Sequence, residues 1–214
     1  MSWRDYQARQ RIVQIGDERF ISYIDEGSGP PVVLIHGIPT WGYLWIPLIS
    51  GLAERHRVLV PDLAGFGFSD KRDRFDRSIG RQAEYLDAWM DRIGLERAVL
   101  VGHDIGGGVA LRMAALMPKR VARLCVMNTV CYDSWPIELM LQLGHPSANR
   151  TLSGRTMTAL LSRALKSGFH SSPPPAFVDG LLAPYTTDVG KLSLIRNASA
   201  LNTNLTTEMV DRSR

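Results

Sequence analysis

The stretch Ala98-Val99-Leu100-Val101-Gly102-His103-Asp104-Ile105-Gly106-Gly107 decides the fold. Its first four residues are apolar and read as a strand buried on both faces. Gly102 and Gly106 stand two residues to either side of Asp104, where a tight strand-to-helix turn leaves no room for side chains. Such a turn pushes the Asp104 carboxylate out from its tip. An aspartate at this junction can also serve as an ordinary helix cap, accepting a bond from the second or third helical N–H. The rest of the chain weighs for the projecting carboxylate.

Outward from that turn, strands alternate with helices. Arg11 to Ile15 and Phe20 to Asp25 read as a hairpin around Gly16-Asp17-Glu18, and Val32 to Ile35 reads as a second buried strand. A helix over Tyr43 to Arg55 precedes the strand Val58 to Val60. An amphipathic helix over Ser78 to Ile93 precedes the strand at Ala98, and a helix over Gly107 to Met117 precedes a strand over Arg123 to Asn128. This alternation predicts an α/β chain with a mostly parallel sheet flanked by helices. Ligands of such sheets bind outside the carboxyl ends of the strands, which is where His36, Asp62, Asp104 and Asn128 fall. After Thr129 the strand pattern stops. Helices are expected over Asp133 to Leu143, Gly154 to Lys166, Pro174 to Leu182 and Val189 to Leu201, forming a lid over that rim.

The 214 residues are 45% hydrophobic, enough for a sizeable core, and carry a formal charge of +4 from 25 basic and 21 acidic residues scattered along the chain. No basic block or interleaved aromatic pattern points to nucleic acid. No run approaches the roughly 18 apolar residues of a membrane span, and the polar start predicts a cytoplasmic protein. Cys125 and Cys131 are expected to be reduced and buried. His36, His103 and Asp104 lack metal-ligand spacing, so no metal is expected. Neither Gly65-Phe66-Gly67 nor Gly106-Gly107-Gly108 has the spacing of a phosphate cradle.

A second motif, His36-Gly37-Ile38-Pro39-Thr40-Trp41, follows the strand at Val32. In nucleophile-elbow enzymes, one backbone N–H after the nucleophile and one from the loop after the third strand face the oxygen that gains charge. Here those donors are the amides of Ile105 and Ile38. Pro39 stiffens the loop, and His36 is expected to hydrogen-bond within it. The Pro61 to Asp70 segment reads as a structural loop on the same rim.

With these motifs in this order, the chain resembles the α/β-hydrolase superfamily, and more narrowly its haloalkane dehalogenase and epoxide hydrolase branch. The residues that carry the likeness are His36 to Trp41, the Gly65 to Ser69 loop and Gly102 to Gly107. The resemblance implies a hydrolase with Asp104 as nucleophile, cleaving a carbon–halogen bond or an epoxide through a covalent alkyl-enzyme ester that a histidine-activated water then cleaves. Its partners are a small apolar organic substrate and water. His36, Gly37, Pro39, Trp41, His103 and Trp135 are the expected loop and pocket residues. Ile105 stands where the dehalogenases carry a halide-gripping Trp, and Ile38 stands where they carry a polar residue; Trp135 is a substitute donor. Tyr132 and Tyr185 are candidate acids for epoxide opening.

The resemblance also divides the chain: 1–129 as the N-terminal part of the core, 130–208 as a helical cap, and 209–214 as the start of a C-terminal core. The base histidine and its orienting acid are expected in that later core, because His145 and His170 fall in the cap, Asn128 is no carboxylate and Asp133 is a weak substitute. The chain therefore reads as a fragment, or half of a split protein, whose last strand leaves an open sheet edge that invites self-association. Two alternatives stay open: a non-catalytic ligand- or partner-binding module of the same fold, and an ester or lactone hydrolase.

Overall fold

A computed structural model describes residues 1–16, 19–133 and 135–209. Six strands form one sheet: β1 (Arg11–Ile15), β2 (Arg19–Glu26), β3 (Pro31–Ile35), β4 (Arg57–Pro61), β5 (Ala98–His103) and β6 (Val121–Met127). Their spatial order is β1-β2-β4-β3-β5-β6; β1 and β2 are antiparallel to their neighbours and the remaining pairs are parallel. The expected hairpin is present, with Ile15 opposite Arg19; Asp17 and Glu18 of its turn lie outside the described residues, as do 210–214.

The continuous apolar runs are explained by the two faces they serve. Val33, Ile35, Leu59 and Leu100 point into one core with α3 (Ile79–Arg92) and α4 (Ile105–Leu116). Their neighbours Val32, Leu34, Val58 and Val60 point the other way, against Trp41 and Tyr43 of the connection to α2 (Ile46–Ala53), Ile49 of α2 itself and Tyr6 of α1 (Trp3–Arg9). Period-two alternation thus buries both sides. β6 differs: it ends the sheet among the described residues, and Leu124, Val126 and Met127 are exposed. Cys125 is exposed with them and Cys131 is half-buried, which corrects the expectation of buried thiols.

Helices α5 (Glu138–Gly144), α6 (Ala148–Thr151), α7 (Gly154–Ser167), α8 (Pro175–Leu182), α9 (Asp188–Ser199) and α10 (Asn204–Thr207) follow, with a third apolar cluster centred on Leu161, Leu181's neighbour Leu182, Tyr185 and Leu194. They lie against the loops at the carboxyl ends of the strands. The Trp41 indole N–H donates to the Gly180 carbonyl at 2.9 Å, and the Tyr185 hydroxyl to the Thr40 carbonyl at 3.2 Å. Arg77 donates to the Ser193 hydroxyl and to Asn197, and Ser193 and Asn197 both donate to the Gly65 carbonyl.

Several boundaries differ from the sequence reading. The helix expected over Tyr43 to Arg55 splits into a 3-10 turn, Gly42–Trp45, and α2, because Pro47 sits in the first turn of α2 and suits a helix start. The helix expected from Asp133 begins only at Glu138: Pro136 disfavours helical backbone at the residue before it, and Ser134 lies outside the described residues. α1 was not anticipated, although Ser2 and Asp5 form a reciprocal capping box at its start.

Candidate active site

Asp104 turns the chain from β5 into α4 with φ 56° and ψ −126°, and its side chain makes no capping bond. The helix-cap reading therefore fails. Positive φ at a non-glycine residue carries strain, and the surroundings hold it. The Asp104 carbonyl accepts from the N–H groups of Gly107 at 3.0 Å and Val130 at 3.2 Å, and from the Thr129 hydroxyl at 3.2 Å. Close packing explains the glycines: a Cβ on Gly102 would come within 2.5 Å of the Gly106 carbonyl oxygen, and one on Gly107 within 1.5 Å of the Thr129 hydroxyl.

The carboxyl itself meets the second motif. Ile38 N–H donates to Asp104 Oδ1 at 2.8 Å, and the neighbouring Ile105 N–H favours the charged form of the carboxylate. The approach of loop to elbow requires Gly37, whose Cβ would lie 2.4 Å from Asp104 Oδ1. Burial raises the Asp104 pKa above the usual carboxylate value; the Ile105 and Ile38 amides and His103 oppose that rise. Burial also lowers the His103 pKa, with Asp104 pulling it back up.

Asp104 opens into a cavity of about 330 Å3 whose wall is mostly carbon: Ile38, Pro39, Ile105 and Trp135 all line it, with Asn128 and Thr129 as the other polar residues. The remaining predicted loop residues stand behind it. His36 is fully buried; its Nδ1 bonds the Gly37 carbonyl at 2.9 Å and its Nε2 accepts the Leu63 N–H at 2.9 Å. Burial lowers its pKa to about 4, so it is neutral at pH 7 and ties one rim loop to the next. Trp41 is buried in the core and His103 is half-buried; neither they nor His36 and Gly37 line the cavity. Of the expected loop and pocket residues, these four therefore belong to the supporting loops, and Pro39 and Trp135 to the wall.

Other candidates are spent elsewhere. The Trp135 indole N–H points to the Thr206 hydroxyl at 2.9 Å, so it is no free donor to a leaving group. Tyr132 is exposed and Tyr185 is fully buried on Thr40, so neither reaches the cavity. His145 and His170 are exposed, as expected. Among the described residues, no histidine and no carboxylate besides Asp104 lines it. Reaching Thr206 from Trp135 across 71 positions left no signal in the sequence.

A family model described as alpha/beta hydrolase fold matches residues 30–164, which span the His36–Trp41 loop, the elbow, α5, α6 and most of α7. The chain belongs to the α/β-hydrolase family. Among curated relatives, this α/β-hydrolase is 32% identical over 183 residues to a cis-3-alkyl-4-alkyloxetan-2-one decarboxylase of Shewanella oneidensis, covering 82% of this chain and 58% of that one. It is 46% identical over 110 residues to a haloalkane dehalogenase of Mycolicibacterium paratuberculosis, covering 50% of this chain and 36% of that one. The chain thus spans less than two thirds of either relative. A crystal structure of an alpha/beta hydrolase fold protein from Burkholderia ambifaria superposes with a TM-score of 0.85 at 26% identity, covering 95% of this chain and 77% of that one. Within that family, the chain is thus similar to proteins named as decarboxylases and to proteins named as haloalkane dehalogenases. Among the described residues, no helix is long and apolar enough to cross a membrane.

Proposed function

We propose that Asp104 is the nucleophile of a cofactor-independent hydrolase that acts on a small apolar substrate through a covalent alkyl ester. One observation carries this reading: a carboxylate freed from capping duty, with Oδ1 held 2.8 Å from the Ile38 amide, opens into a carbon-lined cavity. Residues 1–129 act as the core that presents it, and 130–208 as the cap that excludes water.

The second oxygen, Oδ2, attacks an sp3 carbon. A carbon–oxygen bond forms as the carbon–halogen bond breaks and the halide leaves with its electron pair. With an epoxide, the ring carbon–oxygen bond breaks instead and the ring oxygen takes a proton from water. Oδ1 becomes the ester carbonyl oxygen and stays at the Ile38 and Ile105 amides, where negative charge collects when water adds to Cγ. Serine in this place would leave an ether, which water does not cleave. The water step needs a base, and no described histidine lines the cavity. Ester formation itself needs no such base.

The name of the Shewanella relative favours a second reading, an oxetan-2-one. Attack by Asp104 on the ring carbon that bears the ring oxygen opens the lactone to a carboxylate. Loss of CO2 then expels the Asp104 carboxylate and leaves an alkene, with no water or base consumed. Ile105, which has no side-chain N–H, and Trp135, whose N–H is taken by Thr206, both fit ring opening better than halide release.

Peptide mass spectrometry after incubation with 1-bromobutane or styrene oxide should show the added mass on Asp104, and a cis-3,4-dialkyloxetan-2-one should yield an alkene and CO2. Asp104→Asn should abolish all three outcomes. Unmodified Asp104 and no alkene, from protein whose circular dichroism is that of a folded chain, would overturn the proposal in favour of a ligand-binding module.

A further inference from the structure

The two amides that favour the charged Asp104 carboxylate, those of Ile38 and Ile105, belong to peptide units whose other ends are the Gly37 and Asp104 carbonyls. A trans peptide unit is planar, so its N–H and C=O point in opposite directions and turning one turns the other. Both units sit where the backbone needs restraint. Gly37 has no Cβ to limit rotation, and Asp104 holds a φ of 56°.

Each of the two carbonyls is gripped by several donors, a threonine hydroxyl among them. The Gly37 carbonyl accepts from His36 Nδ1 at 2.9 Å, the Thr40 hydroxyl at 3.0 Å and the Thr40 N–H at 3.1 Å. His36 Nε2 accepts the Leu63 N–H, which puts the proton of the neutral ring on Nδ1 and makes that nitrogen a donor. The Asp104 carbonyl accepts from the Thr129 hydroxyl at 3.2 Å and from the N–H groups of Gly107, Val130 and Gly108 at 3.0, 3.2 and 3.3 Å. Donors on a carbonyl polarise its peptide and strengthen the bond that its N–H makes, by on the order of 10–30% each.

We propose that Thr40, His36 and Thr129 are positioning residues of the oxyanion site, locking and polarising the two peptides whose N–H groups face the Asp104 carboxylate. What the site does rests on the nucleophile reading; how its amides are held does not. Removing a threonine hydroxyl weakens the N–H at the far end of the peptide without touching the carboxylate, so the anion is less favoured. The titratable groups around Asp104 stay as they are: His103 beside it and His36 behind the loop, with no other titratable side chain among the described residues on the cavity wall.

Thr40→Val and Thr129→Val keep every backbone bond, and Thr40 does not line the cavity. Alkylation of the full chain by 1-bromobutane, followed by intact mass across pH, should show its midpoint raised by about 0.3 unit in each, a twofold gain in proton affinity. Thr40→Ser and Thr129→Ser should return the wild-type midpoint. A general loss of packing would lower the modified fraction and leave the midpoint in place. A midpoint unmoved in Thr40→Val or in Thr129→Val, or moved as far by the serine variants, would overturn the proposal. A second measurement needs neither variant nor reaction: imidazole nitrogen resonances of the wild-type chain at pH 7 should show His36 protonated on Nδ1, and a proton on Nε2 would also overturn it. Failure of the nucleophile reading looks different, since Asp104 then gains no mass at any pH, while the Ile38 amide proton still moves upfield in Thr40→Val as its hydrogen bond weakens.

Discussion

Asp62 and Asp104 each follow the last residue of a parallel strand, β4 and β5, with β3 between them. Both are pressed toward the neutral form by burial, yet their surroundings differ in kind. Asp62 is sealed in: Oδ1 accepts the Gly42 N–H at 2.9 Å, and Oδ2 accepts the Phe68 N–H at 2.8 Å and Gln10 Nε2 at 2.9 Å. Asp104 has amide donors on one side and an apolar cavity on the other. A carboxylate held by three donors on both oxygens fastens loops together. One that keeps a lone pair facing empty space is equipped to attack.

That contrast can be broken most severely at the nucleophile. Asp104→Ala should lower ester formation by at least about 1,000-fold, the scale seen when a nucleophile is removed, while costing no more than about 1–3 kcal/mol of stability, since the Ile38 amide alone is shown to lose its acceptor. Intact-mass measurement and thermal melting read the two quantities. Gly37→Ala should follow, with ester formation down by about 100-fold, since its Cβ would displace the carboxyl by a fraction of an ångström to an ångström.

The reverse pattern belongs to Asp62. Asp62→Ala leaves the Gly42, Phe68 and Gln10 donors without their acceptor, and each buried unsatisfied group costs about 1–3 kcal/mol. Urea unfolding should show a loss of about 3 kcal/mol or more, with the ester still forming on whatever fraction stays folded. Equal destabilisation by the two alanines would erase the distinction.

The contrast can also be read as a pH slope. Burial raises Asp62 to about 6 from the usual 3.8. The folded state then holds a proton that the unfolded state has released between about pH 4 and 6, so stability from this group is greatest below pH 4 and declines as pH rises through 6. The decline is of order 3 kcal/mol, at about 1.4 kcal/mol per unit, and Asp62→Ala should flatten it in melts run from pH 4 to 7. Asp104 gives the opposite dependence in rate: protonation silences the nucleophile, so alkylation should fall with acid around a midpoint above the usual carboxylate value.

Much of this was legible in the sequence because short-range rules apply to it. The apolar runs of β3, β4 and β5, the glycines around Asp104 and the order of the two motifs are local signals, and together they anticipate the Ile38–Asp104 contact across 66 positions. Pro136 and the Ser2–Asp5 pair were equally local, and more weight on them would have placed the starts of α5 and α1. Other features depend on partners that no pattern announces. His36 accepts from Leu63 as well as bonding in its own loop, and Trp135 turns away to Thr206.

Arg77 carries a consequence for how the molecule comes apart. Its guanidinium, sunk between the Lys71–Arg72 backbone and α9, donates to carbonyls of both and to the Ser193 and Asn197 side chains. Peeling the helices off the sheet would strand that charge together with the Gly65 carbonyl away from their partners. The two layers are therefore welded into a single cooperative unit, and heat should melt them in one calorimetric peak.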